Sequence, residues 1–153
     1  MEEYSKQSKL ITDIISECAP VYEKASIDEH YIDITGMDRF FGSQKWSKEL
    51  RERIIKNTGL PISLGQSTNK TVSKIATGEA KPNGELYIPE NNVKPFLFPL
   101  SIRKIPMIGK QSYRLLRSMG VSTIRTLSMI PPEMIVQVMG KNGIVAWKKA
   151  NGI

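Results

Sequence analysis

The chain's 153 residues suffice for one ordinary domain or two small ones, and its 40% apolar content can build a core but holds no run long enough to span a membrane. The formal charge of +7 is unevenly placed: residues 1–93 carry 12 Lys and Arg against 14 Asp and Glu, whereas residues 94–153 carry 10 against the single Glu133, a net +9 that points to an anionic partner for that half. One cysteine, Cys18, and one histidine, His30, exclude an internal disulfide and a Cys/His zinc site.

The N-terminal stretch MEEYSKQSKLITDII starts acidic and lacks the basic segment and long apolar run of a signal or transit peptide, so a cytoplasmic chain is expected. From Tyr4 to Cys18, the residues Tyr4, Leu10, Ile11, Ile14, Ile15 and Cys18 follow a helical period that stops before Pro20. The period then changes, and Ala25, Ile27, Tyr31, Ile32 and Ile34 predict two short strands around a turn near Asp28, Glu29 and His30. Trp46, Leu50 and Ile54 at steps of four predict a surface helix over 43–57, with Ser43 as N-cap, Gly59 beyond its end and Arg51 among the solvated charges.

Pro61 to Gln66 reads as a strand, Ser67 or Thr68 as the cap of a helix to Ala80, and Lys81-Pro82-Asn83-Gly84 as the turn that ends it. Glu85 to Ile88 supplies another strand, so the first half is α/β, an antiparallel or mixed sheet with helices packed on it. Pro89, Pro95 and Pro99 punctuate a linker. Four short helices follow over 107–119, 124–129, 132–139 and 144–150, separated by Gly120, Pro131 and Gly140, so the second half is all-α. Domain boundaries are accordingly expected at 1–88 and 89–153.

Three groups of residues could carry chemistry. Asp28 and Glu29 are adjacent carboxylates whose repulsion a divalent cation such as magnesium relieves, although on spacing alone an acidic turn in water is the commoner reading. Lys81, held past a helix end by a Pro-Asn-Gly turn, suits a phosphate as a compact charge, and equally suits the helix dipole. In Ile105-Pro106-Met107-Ile108-Gly109-Lys110, a glycine turn opens a helix whose first amides and whose Lys110, Arg114 and Arg117 could hold phosphates, or could simply be a basic helix face. His30 and Asp33 receive no catalytic role.

Together and in this order, the segments are similar to the Y-family of lesion-bypass DNA polymerases. Ala25-Ser26-Ile27-Asp28-Glu29-His30-Tyr31-Ile32-Asp33-Ile34 resembles the S-I/L-D-E-x-Y-L-D stretch of the family's palm. Leu64-Gly65-Gln66-Ser67-Thr68-Asn69-Lys70-Thr71-Val72-Ser73-Lys74-Ile75-Ala76 resembles its G-I-S-x-N-K-x-x-A-K-I-A run, and Ala80-Lys81-Pro82-Asn83-Gly84 its A-K-P-N-G. The segment from Ile105 resembles the helix-hairpin-helix of the thumb, and Lys141-Asn142-Gly143-Ile144-Val145-Ala146-Trp147 resembles the closing thumb helix of the bacterial DNA polymerase IV branch.

The resemblance implies that Asp28 and Glu29 are two of three palm carboxylates holding a pair of magnesium ions. Lys81 would contact the triphosphate of the incoming deoxynucleoside triphosphate, and Gly109, Lys110, Arg114 and Arg117 would grip the backbone of primer-template DNA. It further implies that the chain is a fragment, because the family's third metal-binding aspartate and fingers precede such a segment and its little finger follows. The fragment alone is then expected to be inactive and, with a sheet edge uncovered, to self-associate, while a sliding clamp would engage the parent through other regions. Two departures stand out: Met107 replaces the first glycine of the usual hairpin, and Tyr113 replaces a small residue of the following helix. The competing class is a non-enzymatic helix-hairpin-helix module that binds DNA.

Overall fold

The computed structural model describes residues 2–37 and 42–153. In chain order these form α1 (Glu2–Cys18), β1 (Val21–Ser26), β2 (Glu29–Asp33), α2 (Ser43–Thr58), β3 (Leu64–Gln66), α3 (Lys70–Ala80), β4 (Glu85–Tyr87), α4 (Val93–Leu97), α5 (Lys110–Ser118), α6 (Ile124–Met129), α7 (Pro132–Met139) and α8 (Lys141–Ala150). The fold is mixed α/β. Among the described residues, no helix is long and apolar enough to cross a membrane.

By compactness the chain divides into a first unit, 1–64 with 80–85, and a second, 65–79 with 86–153. The expected boundary at 88/89 therefore lies within the second unit, which includes α3 together with the helices of the C-terminal half.

In the first unit, Ile14 and Ile15 of α1, Ala19, and Leu50 and Ile54 of α2 form the core, with Ile11, Cys18, Ile32, Trp46 and Ile62 packed around it. The spacing of Ile11, Ile14, Ile15 and Cys18 gives α1 one apolar stripe, and burying each large aliphatic chain contributes about 1.5–3 kcal/mol. Leu10 and Tyr4, which share the helical period, are instead largely exposed. Arg53 ties the helices together by donating to Glu17 Oε2 at 2.8 Å and to Cys18 Sγ at 2.9 Å. Helix α2 ends as expected on Gly59 in the left-handed conformation (φ 70°), whose N–H donates to Ile55 O.

Instead of one sheet, the strands among the described residues form two two-stranded sheets, β1 with β2 and β3 with β4. Alternation and residue type identify a strand but not its partner, and β3 and β4 have only three residues each. The β1–β2 pair is antiparallel, with a register shift between Lys24 and Ser26, and its turn falls at Ile27-Asp28, so Glu29 already belongs to β2.

The core of the second unit gathers Val72, Ile75 and Ala76 of α3 with Leu97, Ile102, Ile105, Leu116, Ile124, Leu127, Ile135, Ala146 and Ala150. The cap of α3 is neither Ser67 nor Thr68 but Asn69: its Oδ1 accepts from Val72 N at 3.0 Å while its Nδ2 donates to Gly152 O at 2.9 Å. An amide has the two complementary ends that a hydroxyl lacks. The expected linker contains a short 3-10 turn (Glu90–Asn92) and α4, in which Pro95 sits where the first turn needs no N–H and Val93 and Leu97 are buried four residues apart. Helix α5 starts at Lys110 rather than 107, because Met107 takes φ 85°. Helix α8 starts earlier than expected, at Lys141, and Gly143 lets it approach α7: a Cβ there would lie 2.7 Å from Ile135 O.

Candidate functional site

The turn that carries Asp28 is fastened from α1. Ser8, buried, donates to Ile27 O, and the Tyr4 hydroxyl reaches Asp28 Oδ2 at 3.4 Å. Ser26 donates to Asp28 Oδ1 at 3.0 Å. Strand alternation then splits β2 into two faces. His30 and Ile32 point to the α1 side, where His30 Nε2 lies 2.8 Å from Thr12 Oγ1 and Ile32 joins the core. Glu29, Tyr31 and Asp33 share the opposite face, with the Tyr31 hydroxyl donating to Glu29 Oε1 at 3.1 Å. Asp33 accepts from the amide and hydroxyl of Thr35, which hold its carboxyl below the usual range and mark it as a turn former.

Desolvation first, and then the hydrogen bond and charge of Glu29 with a contribution from Glu23, push the Tyr31 phenol up to about 12. Desolvation and then the Asp28 carboxylate raise Tyr4 in the same direction. Both phenols therefore stay protonated as donors across the physiological range.

Burial, and then Lys24 directly across the hairpin, hold the His30 imidazole below its usual value of 6.5. Protonation thus costs more in the folded chain, so the associated stability is present above the unfolded pKa and lost as pH falls through the lower folded one. A urea titration is expected to show the midpoint falling between about pH 7 and about pH 5, and falling less in His30→Gln; equal slopes in both proteins would refute the assignment.

Asp28 and Glu29 offer the hard oxygen donors that a cation such as magnesium takes, and so fit one in donor chemistry. Among the described residues, no third His, Cys, Asp or Glu joins them in a group able to hold a metal.

Lys81 directly follows the last residue of α3 and is exposed. Its turn is tight: the Lys81–Pro82 peptide is cis, Asn83 has φ 51°, and a Cβ on Gly84 would fall on Ala80 O. Leu64 N donates to Gly84 O at 3.0 Å. Arg51, expected among solvated charges, grips this turn by donating to Asn83 O and Oδ1. No sequence signal separated it from the other charges of α2.

In the second unit Gly109 is the N-cap of α5, no side chain caps the first turn, and a Cβ on Gly109 would meet nothing within 4 Å. Lys110, Arg114 and Arg117, at steps of four and three, line one exposed face of the helix. Tyr113 supports that face from the side: the Arg103 guanidinium lies 4.7 Å from its ring centroid and the Arg117 guanidinium 6.0 Å. The aromatic ring that departs from the expected small residue thus organises two cations, one of which, Arg103, the sequence did not single out. The structure brings Asp28 beside Glu29 and gathers Gly109, Lys110, Arg114 and Arg117 on α5, while Lys81 occupies its own turn in the first unit.

Residues 1–78 match the family model described as impB/mucB/samB. Over 151 residues the chain is 35% identical to the DNA polymerase IV of Desulfatibacillum aliphaticivorans, covering 98% of this chain and 38% of that protein. It is also 35% identical, over its whole length, to the DNA polymerase IV of Shewanella sp. (strain MR-4), of which it covers 43%. The chain thus spans about two fifths of the length of these curated relatives. Among solved structures, the crystal structure of DinB from Sulfolobus solfataricus superposes with a TM-score of 0.87 at 27% identity, over 99% of this chain and 45% of that one. The insertion ternary complex of Dbh DNA polymerase gives 0.88 at 27% identity, over the same shares.

Proposed function

This chain belongs to the impB/mucB/samB family, the Y-family of DNA polymerases, and we propose that it forms the palm portion and thumb of a translesion polymerase of the DNA polymerase IV type. The palm portion runs to about residue 88 and the thumb from 89. The observation that carries the reading is the Asp28-Glu29 pair at a hairpin turn fastened by hydroxyls of Tyr4, Ser8, Ser26 and Tyr31, inside the segment that the family model matches.

Asp28 and Glu29 are the residues that would hold magnesium. When bound, the cation supplies neutralisation of phosphoryl oxygens and a lowered pKa for the attacking primer hydroxyl. Lys81 donates to the triphosphate of the incoming nucleotide as a point charge. The turn 105–109 serves as the hairpin of a helix-hairpin-helix, where the amides that open α5 meet a DNA phosphate, and Lys110, Arg114 and Arg117 add charge that is independent of base sequence. The absence of a side-chain cap on α5 and the open space at Gly109 support this reading.

The test is primer extension by the full-length parent on damaged and undamaged template. Product that requires a divalent cation and deoxynucleoside triphosphates is expected; a parent that binds DNA but extends under no cation would favour the non-enzymatic module. The 153 residues alone are expected to give no product in the same assay, since among the described residues no third carboxylate joins the pair and two do not hold two cations in register; magnesium-dependent product from them would overturn that expectation.

Self-association of the isolated chain is expected from β1, whose six residues are all exposed, with Val21 at 58% and Tyr22 at 40%. Sedimentation velocity should show a rising mean mass with concentration; a concentration-independent monomer would refute this.

A further inference from the structure

We propose that Arg51 is a positioning residue for Lys81, an inference that rests on the reading of Lys81 as the triphosphate contact. The Arg51 side chain is only 14% exposed, although it leaves a helix rich in solvated charges. All three guanidinium nitrogens are engaged within the first unit. Nε donates to Ile62 O at 2.8 Å, and Nη2 donates to Asn83 O at 2.8 Å and to Asn83 Oδ1 at 2.9 Å. Nη1 lies 3.8 Å from Glu85 Oε2.

Both oxygens of Asn83 therefore rest on one nitrogen, two residues beyond Lys81. The other side of the turn is fixed independently, by Leu64 N on Gly84 O and by the close approach of Gly84 to Ala80 O. A turn held from both sides presents the Lys81 backbone in one orientation, so that nucleotide binding need order only the flexible side chain. The planar fork of a guanidinium makes these contacts at once, and an ammonium cannot. The charge of Arg51 is directed at the protein and not at the ligand, which makes it a support and not a contact.

The experiment measures single-nucleotide incorporation by the full-length parent. Lys81→Ala is expected to raise KM for the incoming nucleotide roughly tenfold or more, the effect of losing a charged hydrogen bond. Arg51→Ala should raise the same KM several-fold, leave primer-template affinity unchanged, and add little to Lys81→Ala in the double variant. Arg51→Lys should not restore the wild-type value. Asn83→Gly suits the positive φ and keeps the backbone carbonyl, removes the side-chain carboxamide and with it the Oδ1 acceptor, and should raise KM to a smaller degree, so it carries the test if Arg51→Ala fails to fold. An unchanged KM in Arg51→Ala or in Asn83→Gly, or multiplicative effects in the double variant, would overturn the inference while leaving the reading of Lys81 intact. An unchanged KM in Lys81→Ala would overturn that reading itself.

Discussion

Full-length parent polymerase carrying Asp28→Asn and Glu29→Gln is expected to lose roughly 10³-fold or more in primer extension, because the cation proposed to bind there would supply several kcal/mol of transition-state stabilisation and each 1.4 kcal/mol is tenfold in rate. The substitutions are nearly isosteric and remove charge without removing volume. Asp28 is exposed and Glu29 only half-buried, and an amide oxygen at either position can still accept from Ser26 or Tyr31. Stability should therefore change by no more than about 0.5 kcal/mol, the usual range for surface positions. DNA affinity and its salt dependence should also persist, since the proposed backbone grip lies on α5. Retained binding with lost extension assigns the pair to chemistry; undiminished extension would sink the catalytic assignment and leave the DNA-binding module.

Gly65→Ala is expected to be the most damaging single methyl in the chain. A Cβ at this position of β3 would fall on Ser73 O and Thr77 N and lie 2.6 Å from Thr77 Oγ1. Two of those three atoms are backbone of α3, which cannot rotate away as a side chain would. Relief requires moving the strand off the helix, at about 1–3 kcal/mol or more. Gly78 provides the control. It lies inside α3 with nothing within 4 Å of a built Cβ and without a positive φ, so Gly78→Ala should stabilise the same helix by about 0.5–1 kcal/mol. Denaturant midpoints of the two variants should move in opposite directions. A Gly65→Ala protein as stable as the wild type would mean that β3 and α3 are not in backbone contact.

Most helices were legible because a single apolar face dictates each of them: Ile11, Ile14, Ile15 and Cys18 on α1, and Trp46, Leu50 and Ile54 on α2. What the pattern did not reveal is who pairs with whom. The four strands were visible from residue type and turn signals, yet their division into two separate sheets among the described residues rests on pairing that residue type does not encode. Prolines misled in one place, where Pro95 reads as punctuation but occupies the first turn of α4. Within the candidate site, Asp28, Glu29 and Lys81 stood out by residue type and motif. The residues that orient them did not, since Arg51, Ser8 and Tyr4 occur in helices whose periodicity only sorts inside from outside. Asn69 was overlooked as a cap beside two hydroxyl residues, and only the carbonyl of Gly152 shows what its second end is for.

The placement of α3 bears on the order in which the chain can fold. The chain passes between the two compact units at 64/65, at 79/80 and again at 85/86. Val72, Ile75 and Ala76 find their apolar neighbours among residues from 86 to 150, and Asn69 finds its acceptor at 152. On a ribosome, Ile88, Val93 and Leu97 would follow α3 closely, but the core residues from Ile102 to Ala150 and the Asn69 bond to Gly152 would join it only once the later helices had emerged. Cutting the chain at 88/89 would strip α3 of Val93, Leu97 and the later apolar residues of its core, so folding topology, and not the proposed division into palm and thumb, sets which piece can be separated intact.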